Sequence, residues 1–250
     1  MIRAIFLSGI TMVLLLVAGS DAARSQDKAV SPVVVELFTS QGCSSCPPAD
    51  NFLGDLAQRP DVLALAFHVD YWDYIGWKDP YAFHEATERQ RKYSHNFALS
   101  YIYTPQMVVN GVAQGVGSDR IDIDALITKA AAHPAARPAF MLERRSDGSV
   151  IVHVGAGEAK KPATIWLACF DREQVTKVLR GENGGSTLTN YHVVRDFESL
   201  GTWKGTAVDL AVPPAEVAEF MNEPNRGIAA LLQVDGTGQI LAAQALHGRR

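Results

Sequence analysis

Two cysteines three residues apart, Cys43 and Cys46, are the side chains of this sequence with the clearest chemical potential. They follow an apolar, β-branched run at residues 33–39 that predicts a buried strand. A helix is predicted to begin after them, at Pro47 or Pro48, because the first helical turn needs no backbone N–H. Such a pair can close a small disulfide, and helix N–H groups favour a thiolate at the leading cysteine. Since a thiolate is the group that attacks a disulfide, this spacing predicts a redox-active pair.

Two other interpretations of the pair stay open. The cysteines could form a structural disulfide, or they could supply half of a metal site. A zinc site needs two further Cys or His ligands at similar spacing, and the sequence contains neither a second CxxC nor a paired His motif. We therefore predict no zinc site and no organic cofactor. A copper(I) metallochaperone is an alternative function, because soft thiolates bind copper(I) and Met107 offers one more soft ligand.

The first residues of the chain predict export. Arg3 precedes an apolar run at residues 4–17, and small residues follow it, which is the pattern of a secretory signal peptide over residues 1–23. The apolar run is shorter than the roughly 20 residues that span a bilayer. The mature protein is expected in the periplasm or outside the cell, and it contacts the membrane only during export.

Composition narrows the expected partners. A formal net charge of −4 argues against a general nucleic-acid binder, which normally carries a basic balance or stripe. Three cysteines are too few for a scaffold held together by disulfides. Cys169 lies in an apolar run and is predicted to be a buried free thiol. The expected partners are protein thiols or disulfides and a separate redox partner.

The elements that position the pair predict an α/β domain over residues 32–133, in which strand-like apolar runs alternate with helical periodicity. In chain order, the predicted segments are residues 33–39, 48–58, 62–69, 80–98, 106–110, 112–116 and a last helix capped by Ser118 or Asp119. Asn110-Gly111 marks the turn of the hairpin. The resulting order is β-α-β-α-β-β-α. The aromatic stretch at residues 71–77 predicts either packing or a substrate platform beside the cysteines.

This order, with CxxC after the first strand, resembles the minimal thioredoxin fold. A second mark of the resemblance is Thr104-Pro105, directly before the hairpin. The resemblance implies that this proline follows a cis peptide bond and that its loop packs against the CxxC. More narrowly, residues 36–50 together with residues 69–73 and 104–106 resemble a bacterial family of exported thioredoxin-like proteins that carries only a domain-of-unknown-function label.

The resemblance also implies roles for individual residues in an exported thiol–disulfide oxidoreductase. Cys43 is expected to be the exposed sulfur that exchanges with a substrate, and Cys46 to resolve the mixed disulfide. Thr104 and Pro105 shape the docking surface. Glu36 lies close to where thioredoxin-like proteins hold a buried acid, so it is predicted to relay a proton to Cys46. The alternative for Glu36 is an acid that points to a wet edge.

The chain changes character after a Pro/Ala linker at residues 133–138. Short strands and turns without a convincing helix predict an antiparallel all-β, sandwich-like domain over residues 139–250. Because the linker is too short for independent motion, this domain is expected to pack firmly on the first one. We expect it to leave the cysteine face open. The competing arrangement is a sandwich that covers Cys43.

Overall fold

The structure, a computed structural model, describes residues 31–236 and 238–248. The predicted signal peptide at residues 1–23 lies outside these residues. None of the helices in the described part of the chain has the length and apolar character needed to cross a membrane.

The first part of the chain contains its elements in the predicted order. They are β1 (Val33–Thr39), α1 (Pro47–Ala57), β2 (Val62–His68), a 3₁₀ helix (Asp70–Ile75), α2 (His84–Asn96), β3 (Gln106–Val109), β4 (Ala113–Val116) and α3 (Arg120–Ala132). β1 and β2 are buried along their whole length, as continuous apolar runs predict. Asn110 and Gly111 form the turn between β3 and β4 with positive φ angles of 46° and 70°. The Asp119 side chain caps α3 by accepting the N–H of Asp122.

The second part is mostly strand and includes one helix that was not predicted. Its elements are β5 (Phe140–Arg144), β6 (Val150–Val154), β7 (Ala163–Lys177), β8 (Thr187–Trp203), β9 (Val208–Val212), α4 (Pro214–Met221), β10 (Arg226–Val234) and β11 (Ile240–His247). The prediction of an all-β segment is therefore wrong at α4. This helix is only eight residues long and buries Val217 and Met221, a single i, i+4 pair, so its periodic signal is weak.

Eight strands form one mixed sheet in the order β11-β10-β7-β8-β2-β1-β3-β4, and β5-β6-β9 form a second sheet. β1 and β2 are parallel, and β3 is antiparallel to both β1 and β4. β8 runs parallel to β2 and pairs with it at Ala66 and Val193. The fold is thus mixed α/β, and its large sheet contains strands from both predicted domains. The division at residues 133–139 stays a prediction.

Three apolar cores hold these layers together. On one face of the large sheet, Val35 and Leu37 of β1 pack with residues of α1 and α3. On the other face, Val34 and Phe38 pack with α2 and with residues of β7, β8, β10 and β11. A third core lies between the small sheet, α4 and the C-terminal strands of the large sheet.

The β7–β8 hairpin is long enough to leave the body of the sheet. Its strands have 15 and 17 residues and pair, with two register shifts, out to Lys177 and Thr187. β10 accompanies β7 only as far as Asp171, so the distal half of the hairpin extends past it. This distal half packs on α1, where Tyr191 lies against Gly54. The end of the hairpin, residues 178–186, is called the hairpin tip below.

Candidate active site

Cys43 and Cys46 are joined by a disulfide bond between β1 and α1. Residues 41–46, called the cysteine turn below, lead directly into the helix. The Cys46 N–H donates to the Cys43 carbonyl at 3.2 Å, and the N–H groups of Ala49 and Asp50 donate to the Cys46 carbonyl at 2.9 and 3.1 Å. α1 begins at Pro47, one of the two predicted positions. The Cys43 Sγ lies 3.3 Å from the Ser45 hydroxyl, so a polar group is available beside this sulfur.

Thr104 and Pro105 lie next to the cysteine turn, although about sixty residues separate them in the chain. The peptide bond between them is cis, the isomer that the sequence predicts. The Ser45 hydroxyl contacts the Thr104 carbonyl at 3.5 Å. The Trp72 indole donates to the Thr104 hydroxyl at 2.8 Å and so fixes the loop from its other side.

The aromatic stretch at residues 71–77 packs around the same turn. The Trp77 indole donates to the Gln41 side-chain carbonyl at 3.1 Å. Gly42 lies so close to Trp72 and Ile75 that a Cβ at this position would be 3.1 Å from the Trp72 Cβ. Tyr74 of the same stretch is 82% exposed. The stretch therefore both packs against the turn and presents an aromatic ring to solvent.

The cysteines are buried, which corrects the prediction that Cys43 is exposed. Both cysteines are 0% exposed. The hairpin tip sits on the turn: the Asn183 side-chain amide donates to the carbonyls of Gln41 and Cys43 at 2.9 and 3.0 Å. The Glu182 carboxylate accepts the Ser44 N–H at 3.1 Å. The predicted open cysteine face is therefore wrong: both cysteines are buried, and the distal half of the β7–β8 hairpin carries its tip onto the turn.

Glu36 is placed away from the cysteines. Side chains alternate along a strand, so Glu36 shares its face of β1 with Val34 and Phe38 and points away from α1. Its carboxylate pairs with the Arg89 guanidinium at 2.6 Å and accepts the Tyr93 hydroxyl. The structure thus does not bring the predicted proton relay to Cys46. The wet-edge alternative is also wrong, because Glu36 is fully buried.

Asp50 is the buried carboxyl on the cysteine side of the sheet. It lies four residues after Cys46, one turn into α1, and the Thr39 hydroxyl donates to it at 2.9 Å. Burial raises the pKa of Asp50 to about 6, against the opposing effects of the His68 charge and the Thr39 hydrogen bond. Sequence reasoning missed this residue.

His68 and Asp79 extend this buried polar group. The His68 Nδ1 lies 2.7 Å from the Asp79 carboxylate, and the Gln41 N–H donates to the same carboxylate oxygen at 2.8 Å. Burial alone would lower the pKa of His68, but the charge and hydrogen bond of Asp79, with the charge of Asp50, raise it above its ordinary value. Burial would raise the pKa of Asp79, but the charge and hydrogen bond of His68, together with the N–H groups of Gln41 and Tyr81, lower it below its ordinary value. The His68 Nε2 has no hydrogen-bond partner among the described residues.

The matched family covers the whole of this site. Residues 34–233 match the family described as "Protein of unknown function (DUF1223)". The chain belongs to this family. The match runs from β1 into β10, so the cysteine turn and the hairpin tip both lie within the family's extent.

Two solved structures resemble the chain. A crystal structure of a protein from Agrobacterium tumefaciens is 34% identical in sequence; the match covers 87% of this chain and 95% of that one, with a TM-score of 0.74. HBP35 of Porphyromonas gingivalis is 13% identical; the match covers 87% of this chain and 75% of that one, with a TM-score of 0.57, a likeness of fold alone. No curated protein matches the chain.

Cys169 takes no part in this site. It is a buried free thiol, as predicted, and it packs in the core between the two sheets. Burial raises the pKa of this thiol to about 12, with smaller contributions from nearby carboxylates. A thiol with such a pKa is a poor nucleophile at neutral pH. Across residues 31–236 and 238–248, no three His, Cys, Asp or Glu side chains are grouped to hold a metal ion.

Proposed function

We propose that the chain is an exported thiol–disulfide oxidoreductase whose first part has a thioredoxin-like topology. The strand order β2-β1-β3-β4 supports this topology, together with a parallel β1–β2 pair and antiparallel β3 and β4. α1 and α3 pack on one face of these strands and α2 on the other. The observation that carries the function is the Cys43–Cys46 disulfide at the start of α1, with the Thr104 carbonyl against the same turn.

The proposed reaction exchanges two electrons with a dithiol partner. A partner thiolate attacks the Cys43 sulfur, the Cys43–Cys46 bond breaks, and Cys46 leaves as a thiolate that takes up a proton. The partner's second thiolate then attacks the partner's first sulfur, the one bonded to Cys43 in the mixed disulfide. Cys43 leaves and takes up a proton. The partner loses two electrons and two protons and gains a disulfide, and the cysteine pair is reduced. The reverse sequence reduces a partner disulfide.

Asp50 replaces Glu36 as the proposed proton-handling group. It lies one helical turn from Cys46 on the buried side of α1. With a pKa of about 6, its protonated and ionised forms are both populated near neutral pH, as a group that gives and takes a proton requires. Burial raises this pKa, the charge of His68 opposes the rise, and the charge of Asp79 adds to it. The predicted relay thus keeps its chemistry and changes its residue.

Exchange with a reduced dithiol peptide tests the function. The oxidised wild-type protein should oxidise the peptide, and Cys43→Ser should reduce the rate to the background level. In the reverse direction, Cys46→Ser incubated with the oxidised peptide should accumulate a mixed disulfide through Cys43, visible by mass, because the protein has no second thiol at the site to resolve it. Cys169→Ser is the matched control and should keep wild-type exchange. Equal rates for wild type and Cys43→Ser would contradict the proposal.

The full burial of both sulfurs favours a second candidate, a disulfide that only holds the turn in place. The two candidates differ in how reduction relates to folding. A redox pair titrates reversibly in a thiol buffer of defined potential while the circular dichroism of the fold persists. A structural disulfide resists reduction, or the protein unfolds as it is reduced. Mass-shift titration followed beside circular dichroism separates them.

A further inference from the structure

We propose that the hairpin tip is a gate on the cysteine pair, and that Asn183 is the residue that holds the gate closed. The structure shows the closed state. The proposal deepens the proposed function, since a gate matters only if the pair reacts. Its physical part, control of access to the disulfide, is testable without any activity.

Three hydrogen bonds hold the tip on the turn, and all of them join a tip side chain to turn backbone. Asn183 donates to the Gln41 and Cys43 carbonyls, and Glu182 accepts the Ser44 N–H. These backbone groups flank Cys43 on both sides. The tip is therefore bonded to the backbone on both sides of Cys43, the cysteine whose sulfur the proposed exchange must reach.

The tip itself is weakly anchored by apolar contacts. Six of its residues from Leu179 to Gly185 are exposed, and the seventh, Asn183, is half-buried. Gly181 lies close to the aromatic stretch: a Cβ added to Gly181 would be 3.2 Å from the Trp77 Cβ. Segments with few buried apolar contacts open at low free energy, so these polar contacts are the main restraint. Breaking them frees the tip while the strands of the hairpin stay paired.

A closed gate is incompatible with direct exchange. Thiol–disulfide exchange requires that the attacking thiolate reaches a sulfur, and both cysteines are 0% exposed in the closed state. The rate of attack on the disulfide should thus depend on the fraction of molecules with an open tip. Asn183 and Glu182, about 140 residues after the cysteines, then determine how readily a partner reaches them.

The rate of disulfide reduction by dithiothreitol tests the gate. The attacking form of dithiothreitol is a thiolate anion, so a variant that removes the Glu182 charge also removes a repulsion, and Asn183→Ala, which changes no charge, is the decisive variant. The reaction is stopped by alkylation and read as a mass shift. Asn183→Ala loses two hydrogen bonds and should be reduced on the order of tenfold faster than wild type. Glu182→Ala should show a smaller increase. Ser186→Ala, in the same tip, has no side-chain contact in the turn and should match wild type.

A shortened hairpin guards against ambiguous results from point variants. Residues 179–184 are replaced by Asn-Gly, because the Gly185 N–H already bonds to the Val178 carbonyl and a two-residue turn closes there. This variant should be reduced faster than Asn183→Ala. Wild-type rates for both variants, with circular dichroism unchanged, would overturn the gate. Faster reduction without any dithiol exchange would instead leave the gate standing and reject the oxidoreductase.

Discussion

Asp50 is a carboxyl group buried in the first turn of α1, four residues after Cys46. Its pKa of about 6 in the folded protein compares with an ordinary value of 3.8. The folded state therefore binds the Asp50 proton more tightly than the unfolded state does. By linkage, this group makes the folded protein less stable as the pH rises from about 4 to about 6, and the loss persists at higher pH.

Asp50→Asn should remove this loss. A shift of about two pKa units at about 1.4 kcal/mol per unit predicts that the variant is more stable than wild type by up to about 3 kcal/mol near pH 8. Near pH 3 the two proteins should be nearly equally stable, since Asp50 is then mostly protonated in both states. Chemical denaturation across this pH range measures the difference. The same variant should slow dithiol exchange.

Asp55→Asn is the matched control on the same helix. Asp55 is exposed and pairs with Arg120, so its replacement should change stability by less than about 1 kcal/mol at either pH. A pH-independent effect of Asp50→Asn would contradict the assignment of a raised pKa.

The residues of the site differ in how far the sequence predicts them. The cysteines, Thr104 and Pro105 are recognisable because short motifs and their place between elements carry the signal. Asp50 was findable, since a residue four positions after Cys46 shares its helix face. His68 and Asp79 were not, because their pairing joins the end of β2 to a loop eleven residues later.

Glu36 illustrates a second limit at this scale. A carboxylate inside an apolar strand requires a partner when buried, and here that partner is Arg89 on α2, 53 residues away. The strand pattern alone does not indicate which face meets α2. The family resemblance therefore supplied a role that the packing of the sheet does not support.

At the scale of elements, the contact between α1 and β8 positions the distal hairpin. Gly54 on α1 faces the Tyr191 ring of β8, and a Cβ added there would lie 2.6 Å from two ring carbons. Glycine inside a helix normally weakens it, so its presence here reflects close packing. The contact holds the hairpin over the start of α1.

Gly54→Ala should destabilise the protein despite better helix propensity. The gain of about 1 kcal/mol in propensity is outweighed by an overpacking cost of up to about 3 kcal/mol. Denaturant unfolding should show a net loss of roughly 1 to 2 kcal/mol. Asn51→Ala, exposed on the same helix, should be neutral or stabilising. Adding Tyr191→Ala to Gly54→Ala should relieve the clash. If Gly54→Ala destabilises the wild type and the Tyr191→Ala variant equally, a clash with the Tyr191 ring is not the cause.

The length of the β7–β8 hairpin could not be predicted from the sequence. Polar residues from Asp171 onward interrupt the apolar run, and for that reason the pattern predicts short strands in this part of the chain. In the structure the strand continues through Asp171, whose buried carboxylate pairs with Arg195 and Arg226. Two short strands do not reach the cysteine turn. A continuous one does, and for that reason the expected arrangement was an open cysteine face, with the covered one only as the competing arrangement.

One of the three apolar cores contains residues from both halves of the molecule. Val34, Phe38, Leu65 and Phe67 from the first half pack with C-terminal residues in a single cluster. The C-terminal members of the buried cluster are Ala168, Phe170, Val194, Ala229, Leu231, Ile240 and Ala243. The buried Arg89 also lies over the Phe197 ring, at 4.6 Å from its centroid, so the second half covers a charged group of the first.

A fragment that spans residues 31–137 should therefore fail to fold cooperatively. Burial of one large apolar side chain contributes about 1.5 to 3 kcal/mol, and the fragment loses the partners of several such side chains. A domain has a net stability of only about 5 to 15 kcal/mol, so the fragment cannot lose several of these contributions and stay folded. It also leaves the Glu36–Arg89 pair without its cover. Denaturant unfolding followed by circular dichroism should show a broad, non-cooperative transition.

The chain from residue 31 to residue 250 is the control for this fragment, and it should unfold in one cooperative step that involves both halves. Tyrosine and tryptophan signals from the two halves should then change at the same denaturant concentration, because the shared sheet and core couple them. A sharp transition of the fragment, with native-like near-ultraviolet circular dichroism, would instead support two independently folding domains divided at residues 133–139. In that case the β2–β8 junction would be an interface between domains, and the gate would be one domain's contact with the other.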